Sequence, residues 1–261
     1  MNKILVMGLL ALGLAGLSVQ AADTNAPVPF VYGSLETPLL SSFYSRGRLF
    51  DNREVFEPSV TINKDTLGGT LSFNYFGNLG LREPTSPGNS ERYTETDLTG
   101  SYSETINLAT FTVGYIEYIY NGQTVPNSRE VFASVALDMQ KSIFVNPTAS
   151  IFYDFKDANG FYGVAGLNHT FTINKKLSLV ADTSLGAASA NYNEFYFGVD
   201  KTRLNDWSSG LALNYALTDK VTLIAGARYG IMVDEDVRQG AFDVFGAGEK
   251  WTAKLSALYS F

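Results

Sequence analysis

The sequence predicts an all-β chain closed into a single transmembrane antiparallel β-barrel of about twelve strands, with both termini periplasmic. Three observations predict it. Apolar residues alternate with small or polar ones through almost all of residues 38–261, and period two is the signature of a strand. Short and long connections alternate along the chain, as they do in outer-membrane barrels. The first residues read as an export signal.

The signal comes first in the chain. Met1-Asn2-Lys3 is a short basic region, and Ile4 to Leu17 is an apolar run. Val19-Gln20-Ala21 supplies the small residues that a signal peptidase needs, so residues 1–21 are expected to be removed. The run is shorter than the roughly 20 residues of a spanning helix. No Cys stands near the site for a lipid anchor. Residues 22–37 read as an irregular periplasmic lead-in, because Ala26-Pro27-Val28-Pro29 prevents helix. Residues 38–261 are the expected barrel.

Twelve strand candidates follow: 38–50, 54–63, 67–78, 94–105, 108–120, 129–138, 144–155, 160–171, 176–187, 206–217, 220–233 and 250–261. Most are near the 9–11 residues with which a tilted strand crosses a bilayer, or somewhat longer. The alternation is clearest in the last. Trp251, Ala253, Leu255, Ala257, Tyr259 and Phe261 share one face, and Thr252, Lys254, Ser256 and Ser260 the other. The short connections are 63–66, 106–107, 138–143, 172–175 and 218–220, and the long ones include 79–93, 121–128, 188–205 and 234–249. A soluble sandwich or jelly roll also alternates, but gives no reason for that regularity in its loops. Tyr259 and Phe261, ending an alternating strand, resemble the C-terminal signal that the outer-membrane barrel-assembly machinery recognises.

Composition excludes several function classes. The chain has no Cys and a net charge of −7, and loss of Lys3 leaves 18 basic against 26 acidic residues. Nucleic acid is therefore not an expected partner, since phosphate binding needs a basic footprint. The expected partners are outer-membrane lipid and lipopolysaccharide, the assembly machinery and small solutes. No Gly-rich phosphate loop and no His/Cys metal cluster is present, so neither cofactor nor metal is expected. Asp234-Glu235-Asp236 in a long loop has the oxygens for a divalent cation, though a solvated acidic loop explains it as well. His169 is the sole His, and its parity with Leu167 and Phe171 turns it outward near the periplasmic end. An interfacial structural role fits that place better than catalysis.

The lumen is the candidate site. Parity turns Tyr44, Arg46 and Arg48 inward on the first expected strand, Arg228 on the eleventh and Lys254 on the twelfth. Barrel closure makes these strands neighbours, so one basic wall is expected. Asp97, Asp154 and Asp182 point inward from the rest of the circumference. Charged walls select ions and polar solutes, and a constriction passing small polar or anionic solutes is one reading. A lumen closed by salt bridges, with Glu57 pairing Arg46 or Arg48, is the other.

Short motifs carry a family resemblance over roughly residues 40–261. They are Tyr44-Ser45-Arg46-Gly47, Pro58-Ser59-Val60, Glu95-Thr96-Asp97-Leu98, Gly114-Tyr115, Tyr118-Ile119-Tyr120, Glu130-Val131-Phe132, Asn146-Pro147 and Tyr153-Asp154-Phe155. With them the chain resembles the TorF-type porin family. The resemblance implies an outer-membrane location and a porin-like barrel, and no established substrate.

Overall fold

The computed structural model describes residues 31–84, 91–122 and 126–261. The export segment 1–21 and residues 22–30 of the lead-in lie outside the described residues.

In chain order the strands are β1 (Tyr32–Glu36), β2 (Leu39–Leu40), β3 (Phe43–Ser45), β4 (Arg48–Asp51), β5 (Val55–Phe56), β6 (Ser59–Thr66), β7 (Gly69–Gly80) and β8 (Tyr93–Ile106). They continue as β9 (Ala109–Tyr120), β10 (Ser128–Leu137), β11 (Asn146–Asp154), β12 (Gly160–Thr172), β13 (Leu177–Ala188), β14 (Arg203–Ala216), β15 (Val221–Met232) and β16 (Glu249–Ser260). Helices α1 (Gln140–Ile143), α2 (Ala190–Phe197) and α3 (Glu235–Phe245) interrupt the later connections. All strands but β3 and β4 form one antiparallel sheet, which closes where β1 pairs with β16.

The wall has twelve strands, because β1 with β2 makes the first and β5 with β6 the second. Each is broken at a proline, which has no N–H to give the ladder. The prolines still accept. Glu57 N–H donates to the Pro38 carbonyl at 3.0 Å, and Gly77 N–H donates to the Pro58 carbonyl at 3.1 Å. Gly33 and Phe261 exchange two backbone hydrogen bonds of 3.0 Å, sealing the seam between the first and last wall strands.

The expected first strand, 38–50, is therefore corrected. The wall starts at Tyr32, inside the stretch read as an irregular lead-in. Residues 43–51 leave the wall and form a separate two-stranded sheet, β3 with β4. Pro38 masked the earlier start, and the alternation of 43–50 suits a hairpin as well as a wall strand. The other eleven strands stand where the alternation put them, within a few residues. The turn expected at 63–66 sits instead at Leu67-Gly68, both at positive φ (51° and 83°). Glycine takes that conformation without steric cost.

Side chains alternate across the wall. Leu255 is 63% exposed, while its neighbours Lys254 and Ser256 are 4% and 8% exposed. The outside also has two aromatic levels. Trp207, Tyr229 and Trp251 adjoin one another near the end of the barrel with the long loops, with ring centroids 6.2 and 5.0 Å apart. Tyr215 and Tyr259 lie on the same strands near the end with the short turns. Between the levels the outward residues include Leu211, Leu213, Leu223, Ala225, Ala253 and Leu255, a mainly apolar band bounded by aromatics as a bilayer requires.

Replacing Leu211, in mid-band, by Arg is expected to lower the free energy of folding into phosphatidylcholine vesicles by about 2–4 kcal/mol, and Leu67→Arg at the turn by about 0–1 kcal/mol. Urea titration of vesicle-inserted protein reads both. Equal effects would show that the band does not face lipid.

Candidate functional site

The long-loop half of the lumen is filled by the chain itself. After Leu40 the chain turns inward. Ser42 Oγ lies 3.2 Å from Thr252 Oγ1 on β16, which starts the departure from the wall. The β3–β4 hairpin then crosses the lumen and reverses at Arg46-Gly47, both at positive φ (49° and 76°). A side chain at Gly47 would collide with Met232 Sδ, so only glycine lets the turn seat this closely.

Arg46 lands on the opposite wall. Its Nη1 donates to both carboxylate oxygens of Glu130 on β10, at 2.7 and 3.0 Å. Tyr118 OH donates to the same carboxylate at 2.9 Å. The guanidinium also lies over the rings of Phe152 (4.1 Å) and Tyr162 (4.8 Å). Arg48 sits over Phe50 (4.7 Å) and Tyr196 (4.2 Å). Its Nε and Nη1 have no hydrogen-bond partner.

The single basic wall is thus corrected. Tyr44, Arg46 and Arg48 stand on the inner hairpin rather than on the first wall strand. Arg228 pairs with Asp182 on β13, two strands away. Gly210 lies between them in register, and its missing side chain lets Arg228 reach across. Lys254 pairs with Glu36 on β1 at 2.6 Å. Arg46, Arg228 and Lys254 each face a carboxylate, so their charge is locally compensated. The expected pairing of Glu57 with Arg46 or Arg48 does not form. Arg46 is held by Glu130, and Glu57 Oε1 is buried without a hydrogen-bond partner.

Asp97 does face the lumen, next to Glu95 on the same face of β8. Asp154, fully buried, has another use. It accepts from Ser128 Oγ (2.5 Å), from Tyr196 OH (3.2 Å) and from the backbone N–H groups of Lys156 and Asp157. It ties the rim to α2 and does not frame a constriction.

A lid covers this hairpin. The connections 188–205 and 234–249 contain α2 and α3, which pack on each other. Ser189 caps α2 and Asp234 caps α3, and both helices stop at a left-handed glycine, Gly198 and Gly246. Gly240 of α3 approaches the Phe197 carbonyl so closely that a side chain there would clash. Tyr192, Tyr196, Phe197, Val237 and Ala241 join Ile116, Phe132, Phe152 and Tyr162 of the wall in one buried cluster. Burial pushes the Tyr196 hydroxyl well above its usual range.

The acidic triplet is used in this lid. Asp234 also pairs with Arg203 at 3.0 Å, and Asp236 with Lys201 at 2.8 Å. The hydrogen bond from Lys201 holds Asp236 below the usual carboxylate range. Among the described residues no cluster of metal-ligating side chains is present. His169 faces outward, stacked on Phe144 at 3.8 Å and edge-on to Phe171, with Nδ1 against the Phe144 carbonyl. Tyr259 and Phe261 also stand on the outside, 6.1 Å apart.

Several residues escaped the sequence reading: Glu130, Glu36, Glu95 and the aromatics under Arg46. Glu130 and Glu95 share the parity of Phe132 and Asp97, so their inward direction was available. Their partners were not, because those lie across the lumen.

Glu130→Gln leaves the Arg46 charge buried without its counter-ion. It is expected to cost about 3–5 kcal/mol, and the double variant Arg46→Met/Glu130→Gln clearly less. Urea unfolding of the detergent-folded barrel measures both. A double variant no more stable than Glu130→Gln would remove the ion pair from the account of the hairpin.

No protein-family model and no curated protein matches the sequence. Among solved structures the fold is similar to that of the NanC porin, at 12% identity over 88% of this chain and 100% of that one, with a TM-score of 0.52. It is also similar to a bacterial polysaccharide outer membrane secretin, at 8% identity over 89% and 98% of the two chains, with a TM-score of 0.51. What the chain shares with both is the fold, a closed antiparallel barrel of the outer-membrane type.

Proposed function

We propose that the protein is an outer-membrane porin-like channel for small polar solutes, narrowed from within by the β3–β4 hairpin. One observation carries the reading: the barrel has an apolar, aromatic-bounded outside and a polar inside, and its lumen is crossed by a single hairpin. The turn-end half of the lumen holds hydrogen-bonded uncharged pairs, Ser72 with Asn63 and Ser103 with Thr112 at 2.7 and 2.8 Å, beside the buried Ala212, Ile224 and Leu258 and the Lys254–Glu36 pair. At the hairpin a cleft of about 60 Å³ remains. Twelve strands lie between the filled eight-stranded barrel and the wide 16-stranded porin, so a filler inside is physically reasonable.

In this reading the short turns face the periplasm and the α2–α3 lid faces outward. Tyr259 and Phe261 serve the assembly machinery, and the apolar band meets lipid and lipopolysaccharide. The TorF-type resemblance belongs to this reading too. The pairing of Arg46, Arg228 and Lys254 removes the ground for an anion preference. The outward, stacked His169 supports a non-catalytic barrel over a membrane hydrolase. A second reading is a non-conducting barrel whose lid is the working surface, favoured by the buried aromatic cluster that joins lid to wall.

Single-channel recording in planar bilayers decides between them. Wild type is expected to show small conductance steps. Replacing residues 43–51 by a short Gly-Ser link is expected to raise them several-fold, since the hairpin is the main obstruction in the lumen. A wild type and a correctly folded deletion variant that both insulate would sink the channel.

A further inference from the structure

The cleft at the hairpin holds charge of both signs that the protein leaves incompletely bonded. Arg48, 4% exposed, makes no ion pair among the described residues, and its Nε and Nη1 lack hydrogen bonds. On the same cleft stand Glu95 and Asp97, whose carboxyl groups hydrogen-bond each other and so hold one proton between them, and Glu57, whose Oε1 is buried without a hydrogen-bond partner. The cleft's other cations are engaged: Arg46 with Glu130, Arg228 with Asp182, and Lys250 with Asn52 Oδ1 at 2.5 Å. Phe43, Phe50 and Phe76 supply an apolar side.

A buried charge without hydrogen bonds is costly, and removing one partner of a buried pair costs several kcal/mol. An unpaired arginine facing a carboxyl pair on one cleft therefore invites a guest that bonds both. A purely anionic guest satisfies Arg48 and meets the carboxylates as like charges. A purely cationic guest does the reverse. Among the described residues no cluster of metal-ligating side chains offers a metal ion a place here. A guest with a carboxylate and an ammonium a few ångströms apart satisfies both groups.

We propose that this cleft is a binding site for a small zwitterion of the amino-acid type, with its carboxylate on Arg48, its ammonium on Glu95 and Asp97, and its side chain against the phenylalanines. The proposal deepens the channel reading by naming a solute class, and rests on that reading only for the solute's way in.

The test is isothermal titration of the detergent-folded full chain, which needs no conduction. The probes are L-alanine, propionate and ethylamine, the last two each lacking one charge, and glucose. L-alanine is expected to bind, and each single-charge probe at least about tenfold more weakly, since a charge-assisted hydrogen bond is worth at least that factor. Glu95→Gln and Arg48→Met should each weaken L-alanine at least about tenfold while keeping the heat-modifiable migration of a folded barrel. Glu95→Gln is near-isosteric, so it stands alone if Arg48→Met fails to fold. No heat with L-alanine, equal binding of propionate or glucose, or unchanged affinity in the folded variants would each overturn the site. A barrel that conducts but does not bind keeps the channel and loses the site. One that binds but insulates keeps the site and loses the channel.

Discussion

Backbone pairing is the constraint on which the rest depends. A sheet with a free edge leaves a row of N–H and C=O groups unsatisfied, and closing it removes that edge. Closure here runs through an imperfect seam. The first two wall strands each contain a proline, and the ladder crosses both through the proline carbonyls. Gly33 and Phe261 then complete the ring. Once the ring is closed, the two-residue repeat decides for every side chain whether it stands outside or in the lumen. The aromatic levels, the apolar band and the inward charges all follow from that single choice.

The same closure creates the interior problem that the hairpin solves. A twelve-stranded ring is too wide for its own side chains to fill. The chain contributes β3 and β4 as internal packing, and charges carried into that space must find partners. Arg46 finds Glu130 and two aromatic rings, a combination that bonds the guanidinium and covers it. The seat is narrow enough that residue 47 has to be glycine. Arg48 receives only the aromatic half of that treatment, which leaves the cleft polar.

The lid is an ordinary consequence of local signals. Ser189 and Gly198 bracket one helix, and Asp234 and Gly246 the other, at spacings that sequence alone displays. Within long connections between strands, such caps mark a helix only where the wall gives it something to pack on. Tyr192 and Tyr196, four apart on α2, become core only because the wall offers Phe152 and Tyr162 beneath them.

The sequence by itself determined the strand repeat, the strand number, the outward face and the inward direction of Asp97, Asp154, Asp182, Arg228 and Lys254. These are local properties, because each depends only on a residue's neighbours two positions away. The tertiary structure alone decided that residues 43–51 are a hairpin inside the barrel, and that Arg46 answers Glu130 rather than Glu57. It also showed that the expected basic wall is three separate ion pairs and one arginine left among aromatics. Alternation says only that a residue faces inward. What it meets there depends on which strands lie opposite and how far each is shifted along its neighbour, and only the closed ring fixes both.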